Sequence, residues 1–329
     1  MKNYNLNFSN SIFFLMSIST FFILIYNILH YAPILGYDAE AHFSYVDYLS
    51  RYLPKEIKLP SQDETREFFN PPIGYLFPSF AQLVCRNIIE SNNLLADCQP
   101  VYGKATQVFQ TILYVITICI NLFTLKLITK SKNIFNAEYL ILISLLAVNY
   151  RTISMIRGET YILFFLSLFL LVILKAENRN YDLGLKQIIY SGVIIACIAL
   201  SRQWGFLLFI PLIVLLIYKN AKLNYLKFWS KSASIGALLS SWFYVGLYQN
   251  YGSFTAFNME SKGFSLNNQN LSFYIPNFSQ LEFLFTKPIR PNLNNQFISI
   301  LYSDLWGDYW GYFTFTSRFL NDGRNQLNI

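Results

Sequence analysis

Long apolar runs recur from near the N-terminus to about Trp242, and they constrain this chain more than any single motif. A spanning helix needs about 20 predominantly apolar residues, fewer where polar ends snorkel. By that measure the sequence predicts seven spans, at 12–29, 108–127, 139–148, 161–174, 188–200, 206–218 and 232–248. The first resembles a secretory leader, but its apolar stretch is long and no small-x-small cleavage site follows, so it reads as an uncleaved anchor. The expected fold is an all-α multi-pass membrane protein with two interfacial helices in a large first outer loop. Composition agrees: 54% of residues are hydrophobic and 13% charged, where a soluble domain carries roughly a quarter charged.

The net charge of +7 would raise nucleic acid as a partner of a soluble domain. Here the basic residues sit between spans and set orientation instead. One set of short loops holds Lys126, Lys130, Lys132, Lys175, Arg179, Lys186, Lys219, Lys222, Lys227 and Lys231, against Arg151, Arg157 and Arg202 in the other. Ten against three puts the N-terminus in the cytoplasm. The loop 36–104, both hairpin tips and everything after residue 248 then face outward. Cys119 and Cys197 lie in apolar spans and read as packing residues. Cys85 and Cys98 share the first loop, where a disulfide is open to them if it faces an oxidising compartment.

The first loop opens with Asp38-Ala39-Glu40-Ala41-His42, followed by Val46, Leu49, Tyr52 and Leu53 at helical spacing. That is an amphipathic helix suited to an interface, with Asp38 placed to cap its first turn. The alternative is an acidic cluster: Asp38 and His42 share a face at i, i+4, while Glu40 points elsewhere. Residues 60–67 are polar and expected to be mobile. Pro71-Pro72-Ile73-Gly74-Tyr75 then starts a second interfacial helix. Further on, Arg157-Gly158-Glu159 opens the fourth span, and Arg202 stands between two apolar runs of thirteen residues each. Each run is about 20 Å long at 1.5 Å per residue, short of the roughly 30 Å hydrocarbon core. Arg202 is thereby drawn toward the membrane interior, where an ionisable residue is a functional candidate; the plainer readings are a snorkelling Arg202 and a local Arg157–Glu159 ion pair. After residue 248 the chain is Asn-rich and aromatic, with Trp306 and Trp310 near Asp304 and Asp308. They form either a sugar-stacking surface or an interfacial aromatic belt.

In the order of these elements the chain resembles the C superfamily of glycosyltransferases, which includes the protein O-mannosyltransferases, the lipid A aminoarabinose transferases and the bacterial Rgt-like sugar transferases. The resemblance covers most of residues 1–250 and rests on Asp38-Ala39-Glu40-Ala41-His42, Pro71-Pro72-Ile73-Gly74-Tyr75, Arg157-Gly158-Glu159 and Arg202. It implies a transferase that moves a sugar, with inversion, from a polyprenyl-phosphate donor to a glycan, lipid or protein acceptor outside the cytoplasm. Asp38 would be the general base, and Arg202 and Arg157 would hold the leaving phosphate. Glu159 and Tyr75 would support them. Glu40 and His42 would orient the acceptor or help hold a divalent cation, Mg²⁺ or Mn²⁺, although that ligand set is incomplete. The setting would be a cell envelope, in the bacterial inner (plasma) membrane. Residues 1–249 would form the transmembrane module, and 250–329 an extracytoplasmic segment that starts a missing C-terminal region, since family members have more spans. Two other classes remain open: a transporter or flippase of a lipid-linked sugar, and a non-catalytic membrane subunit.

Overall fold

The computed structural model describes residues 2–34, 38–92, 97–130, 147–218, 222–255, 270–275, 281–286 and 296–305. Among these every regular element is helical. Helix α1 (Lys2–His30) leads into the first loop, which carries α2 (Ala39–Tyr52) and α3 (Ile73–Ser91). Then follow α4 (Gln99–Thr129), the short α5 (Ala147–Thr152), α6 (Glu159–Glu177) and α7 (Leu185–Ala199). A 3-10 turn, Gln203–Leu208, runs into α8 (Phe209–Tyr218), and α9 (Lys222–Tyr251) completes the bundle. Three short pieces, α10 (Leu271–Tyr274), α11 (Leu281–Thr286) and α12 (Phe297–Leu305), follow.

Among the described residues three helices are long and apolar enough to cross a membrane: Asn10–His30, Gln99–Thr129 and Glu159–Glu177. Two of the other expected spans are apolar but shorter, at Leu185–Ala199 and Gln203–Tyr218. They are short because the backbone turns extended at Arg202 (φ −152°, ψ 142°) and then winds tightly through the 3-10 turn. The span expected at 232–248 lies inside α9, whose first turns carry Lys222, Lys227 and Lys231. The span expected at 139–148 lies almost wholly outside the described residues, as do Trp306 and Trp310.

Two of the packed cores bear on the site. Helices α6, α7 and α9 share one core, in which Ile162, Phe169, Ile195 and Ile198 meet Tyr225, Phe228 and Trp229. The α7–α9 crossing is close because both sides are small there. A Cβ added to Gly236 would lie 2.6 Å from the Ile195 side chain, and one on Gly192 2.9 Å from the Ser232 carbonyl. Small residues of this kind let membrane helices approach backbone to backbone. The second is the first loop folded onto α4. Helix α2 buries Phe43, Tyr45, Val46 and Leu49 against Tyr75 of α3 and Tyr102 of α4. A Cys85–Cys98 disulfide joins the end of α3 to the start of α4.

Between α5 and α6 the backbone leaves helical form over 153–158. Unpaired carbonyls are costly in an apolar surround, so irregular backbone survives there only where protein groups satisfy it. Two glutamines of α4 do so. Gln107 donates to the Ser154 carbonyl at 2.7 Å and Gln110 to the Met155 carbonyl at 2.6 Å. Lys104 likewise donates to the carbonyls of Ile28 at 2.5 Å and Tyr31 at 2.8 Å, fastening the end of α1.

Two local expectations are corrected. Asp38 does not cap α2 through its side chain; it sits in the left-handed region (φ 59°), and its carboxylate pairs with Arg66. Residues 60–67 are not merely a polar surface loop. Thr65 and Glu67 are buried, and the Thr65 hydroxyl donates to the Ala41 carbonyl at 2.7 Å, which ties the segment to α2.

Candidate functional site

Three backbone segments converge where α6 begins and α7 ends. The Ile73 N–H donates to the Leu200 carbonyl at 3.1 Å, so the start of α3 is bonded to the end of α7. Gln203 donates to the Phe69 carbonyl at 2.6 Å, adding a second tie. Gly158 fits between them because it lacks a side chain: a Cβ there would lie 2.4 Å from the Ser201 carbonyl oxygen and 3.2 Å from Arg202 Nε. A Cβ on Gly74 would in turn lie 2.9 Å from the Gly158 Cα.

This convergence delivers Arg202 into the protein, where it is only 8% exposed. Its Nη2 donates to both carboxylate oxygens of Glu159 at 2.6 Å, and its Nη1 donates to the Asn70 side-chain oxygen. The Asn70 amide donates in turn to Glu67, and the Asn70 carbonyl accepts from Tyr45 at 3.1 Å. The result is a hydrogen-bonded chain, Glu67–Asn70–Arg202–Glu159, in which the amide orientation satisfies both neighbours at once. Arg202 Nε has no hydrogen-bond partner among the described residues.

Other charges surround that chain. Burial raises the Glu67 carboxyl above its ordinary range, and the nearby Asp38 charge raises it further, against Arg202 and Arg157. Arg157, itself buried, acts electrostatically on Glu67, Glu159 and His42. His42 shares a 2.6 Å hydrogen bond with the Tyr75 hydroxyl through Nδ1, and Tyr75 stacks on Tyr45 at 3.9 Å. Burial first, then Arg157, Arg202 and Arg66, hold the imidazole well below 6.5, so it is neutral at pH 7.

Asp38, His42, Tyr75, Arg157, Glu159 and Arg202 are therefore one neighbourhood. Glu40 stays exposed in the first turn of α2. Arg66, Glu67 and Asn70 are members that sequence reasoning passed over. Their only signal was the three-residue spacing of Glu67 and Asn70 just before Pro71-Pro72. The residues offered for a divalent cation do not converge on one. Glu40 points to solvent, His42 Nδ1 is engaged by Tyr75, and Asp38 holds Arg66. No group of three or more His, Cys, Asp or Glu suited to a metal occurs among the described residues.

A neutral buried imidazole has a consequence for stability. Because its folded pKa is depressed, its contribution is present above 6.5 and is lost as the pH falls. Glu67 opposes this, since a raised carboxyl loses its contribution as the pH rises above the ordinary value of 4.5. Comparing melts of the parent and His42→Gln at about pH 7.5 and pH 5.5 isolates the histidine. The parent should lose more stability on acidification than the variant, which retains only the exposed His30.

Compared with protein-family models, curated proteins and solved structures, the chain matches none.

Proposed function

We propose that the chain is a membrane glycosyltransferase, moving a sugar from a polyprenyl-phosphate donor to an acceptor hydroxyl on the extracytoplasmic side. The observation that carries this reading is the buried Glu67–Asn70–Arg202–Glu159 chain within electrostatic reach of Asp38 and Arg157. Arg66, Arg157 and Arg202 face Asp38, Glu67 and Glu159, three cations against three carboxylates. Arg202 Nε has no hydrogen-bond partner among the described residues, and Arg157 is a second buried cation acting on the same Glu159. An anionic phosphate is the ligand that two such guanidiniums would take.

In the reaction, Asp38 accepts the proton of the acceptor hydroxyl as its oxygen attacks the anomeric carbon. The bond from that carbon to the phosphate oxygen breaks, and the phosphate departs as an anion held by Arg202 and Arg157. The departing phosphate needs no proton, so a single carboxylate base suffices. Arg66 is 56% exposed, so its pairing with Asp38 is worth little and yields to an incoming acceptor. The proposal keeps seven spans with a cytoplasmic N-terminus, and α2 and α3 at the outer interface. The Cys85–Cys98 disulfide supports that orientation, because such bonds persist in oxidising compartments.

Sugar transfer from a polyprenyl-phosphate donor should be measured in membranes carrying the chain or its Asp38→Asn variant. The variant is expected to lose on the order of 10²–10⁴-fold in turnover at equal abundance, the range for removing a general base. Undiminished turnover would reject Asp38 as the base. Movement of a lipid-linked sugar across the membrane with no transfer would favour a transporter, and neither activity a non-catalytic subunit.

A further inference from the structure

The α6–α7 pair that presents Glu159 and Arg202 at one end frames a separate cavity toward the other. It has a volume of about 530 Å³, within the range of small-molecule sites. Leu168, Leu171 and Val172 of α6 form an apolar wall, with Tyr190 of α7 across from them. Lys175 and Arg179 stand on the same side as α6 ends, both exposed. They are the only ionisable lining residues apart from Tyr190; the carboxylates nearest in sequence, Glu177 and Asp182, do not line the cavity. Lys175 lies sixteen residues beyond Glu159 on the same helix, about 24 Å at 1.5 Å per residue. This cavity is therefore not part of the charged neighbourhood around Arg202.

Its wall belongs to a helix long and apolar enough to cross a membrane, while its mouth is cationic. The matching ligand is amphipathic, with an anionic head and an apolar tail. A soluble anion would leave the wall unused, and a zwitterionic lipid would bring a cation to the two basic side chains. We propose that the cavity binds one anionic phospholipid, its phosphodiester between Lys175 and Arg179 and an acyl chain along Leu168, Leu171 and Val172. Basic clefts between membrane helices take anionic headgroups on these grounds, each Lys or Arg contributing about 1 kcal/mol. The inference is independent of the transferase reading.

The test uses the full chain purified in detergent and stripped of lipid, titrated with short-chain phosphatidylglycerol or phosphatidylcholine of the same acyl length. Binding is read by native mass spectrometry, and stability by thermal melting. Phosphatidylglycerol should bind on the order of 30-fold more tightly than phosphatidylcholine, from two charges of that size. Lys175→Ala/Arg179→Ala should lose that preference while melting like the parent without lipid, since both side chains are exposed. Lys186→Ala, a nearby cation outside the cavity, should keep it. Equal binding of the two lipids would overturn the proposal. So would an undiminished preference in the double variant, or the same stabilisation by inorganic phosphate alone.

Discussion

Replacing Glu159 with alanine is expected to cost about 3 kcal/mol, because it leaves the buried Arg202 guanidinium without its counter-charge. Breaking a buried pair from one side costs about 3–5 kcal/mol. The lower end applies because 32% of the Glu159 side chain is exposed and water can compensate there. For a chain of 329 residues the melting temperature should fall by roughly 4 °C. The paired replacement Glu159→Leu/Arg202→Met removes both charges together and should recover most of that loss. A single variant as stable as the parent would mean that Asn70 and solvent alone sustain the guanidinium. The pair would then be incidental to the fold, and its place in phosphate binding would lose its structural basis.

The second large effect is at Gly158. Its added Cβ would meet the Ser201 carbonyl oxygen at 2.4 Å, and that oxygen is main chain, so relief requires a helix end to move. Gly74 is packed closely on Gly158 as well, since a Cβ on it would lie 2.9 Å from the Gly158 Cα. Overpacking of this kind costs about 1–3 kcal/mol, and here the displaced backbone also carries Arg202. Gly158→Ala should therefore lose both stability and any activity that depends on Arg202. Gly246 of α9 is the control, since nothing lies within 4 Å of a Cβ there. Gly246→Ala should be neutral or stabilise by up to about 1 kcal/mol, from helix propensity and reduced freedom of the unfolded chain. Melting curves of the two variants side by side separate the local clash from a general response to glycine replacement.

These two positions also mark how far the sequence could be read. Arg157, Glu159 and Arg202 stand out because charges interrupting apolar runs are rare and conspicuous. The helix through Val46 and Leu49 was visible for a similar reason, since its apolar spacing depends on local geometry alone. Glu67 and Asn70 were not visible. They lie in a segment whose composition resembles a surface loop, and what buries them is distant chain: the Ala41 carbonyl held by Thr65, and Phe243 and Leu247 packed on Phe68. Nothing local encodes that burial. The membrane spans divide in the same way. Residues 12–29 and 108–127 fall within helices long enough to cross, and 161–174 within Glu159–Glu177. By contrast, 188–200 and 206–218 belong to shorter helices, because the chain turns at Arg202 to meet the first loop. The convergence of Gly74, Gly158 and Ser201 is a property of three backbones together, and no window on one of them reveals it.

The glutamine clasp on α4 imposes an order on biogenesis. Lys104 finds its carbonyl partners at Ile28 and Tyr31, already synthesised when it emerges. Gln107 also has an upstream acceptor in the Tyr31 carbonyl at 3.0 Å, whereas Gln110 must wait for Met155, 45 residues downstream. At about 5–20 residues per second the ribosome needs roughly 2–9 s to deliver it. During that interval α4 presents the Gln110 amide to its surroundings with its eventual acceptor unmade. The helix therefore settles against its neighbours only when a segment that is not itself helical has arrived.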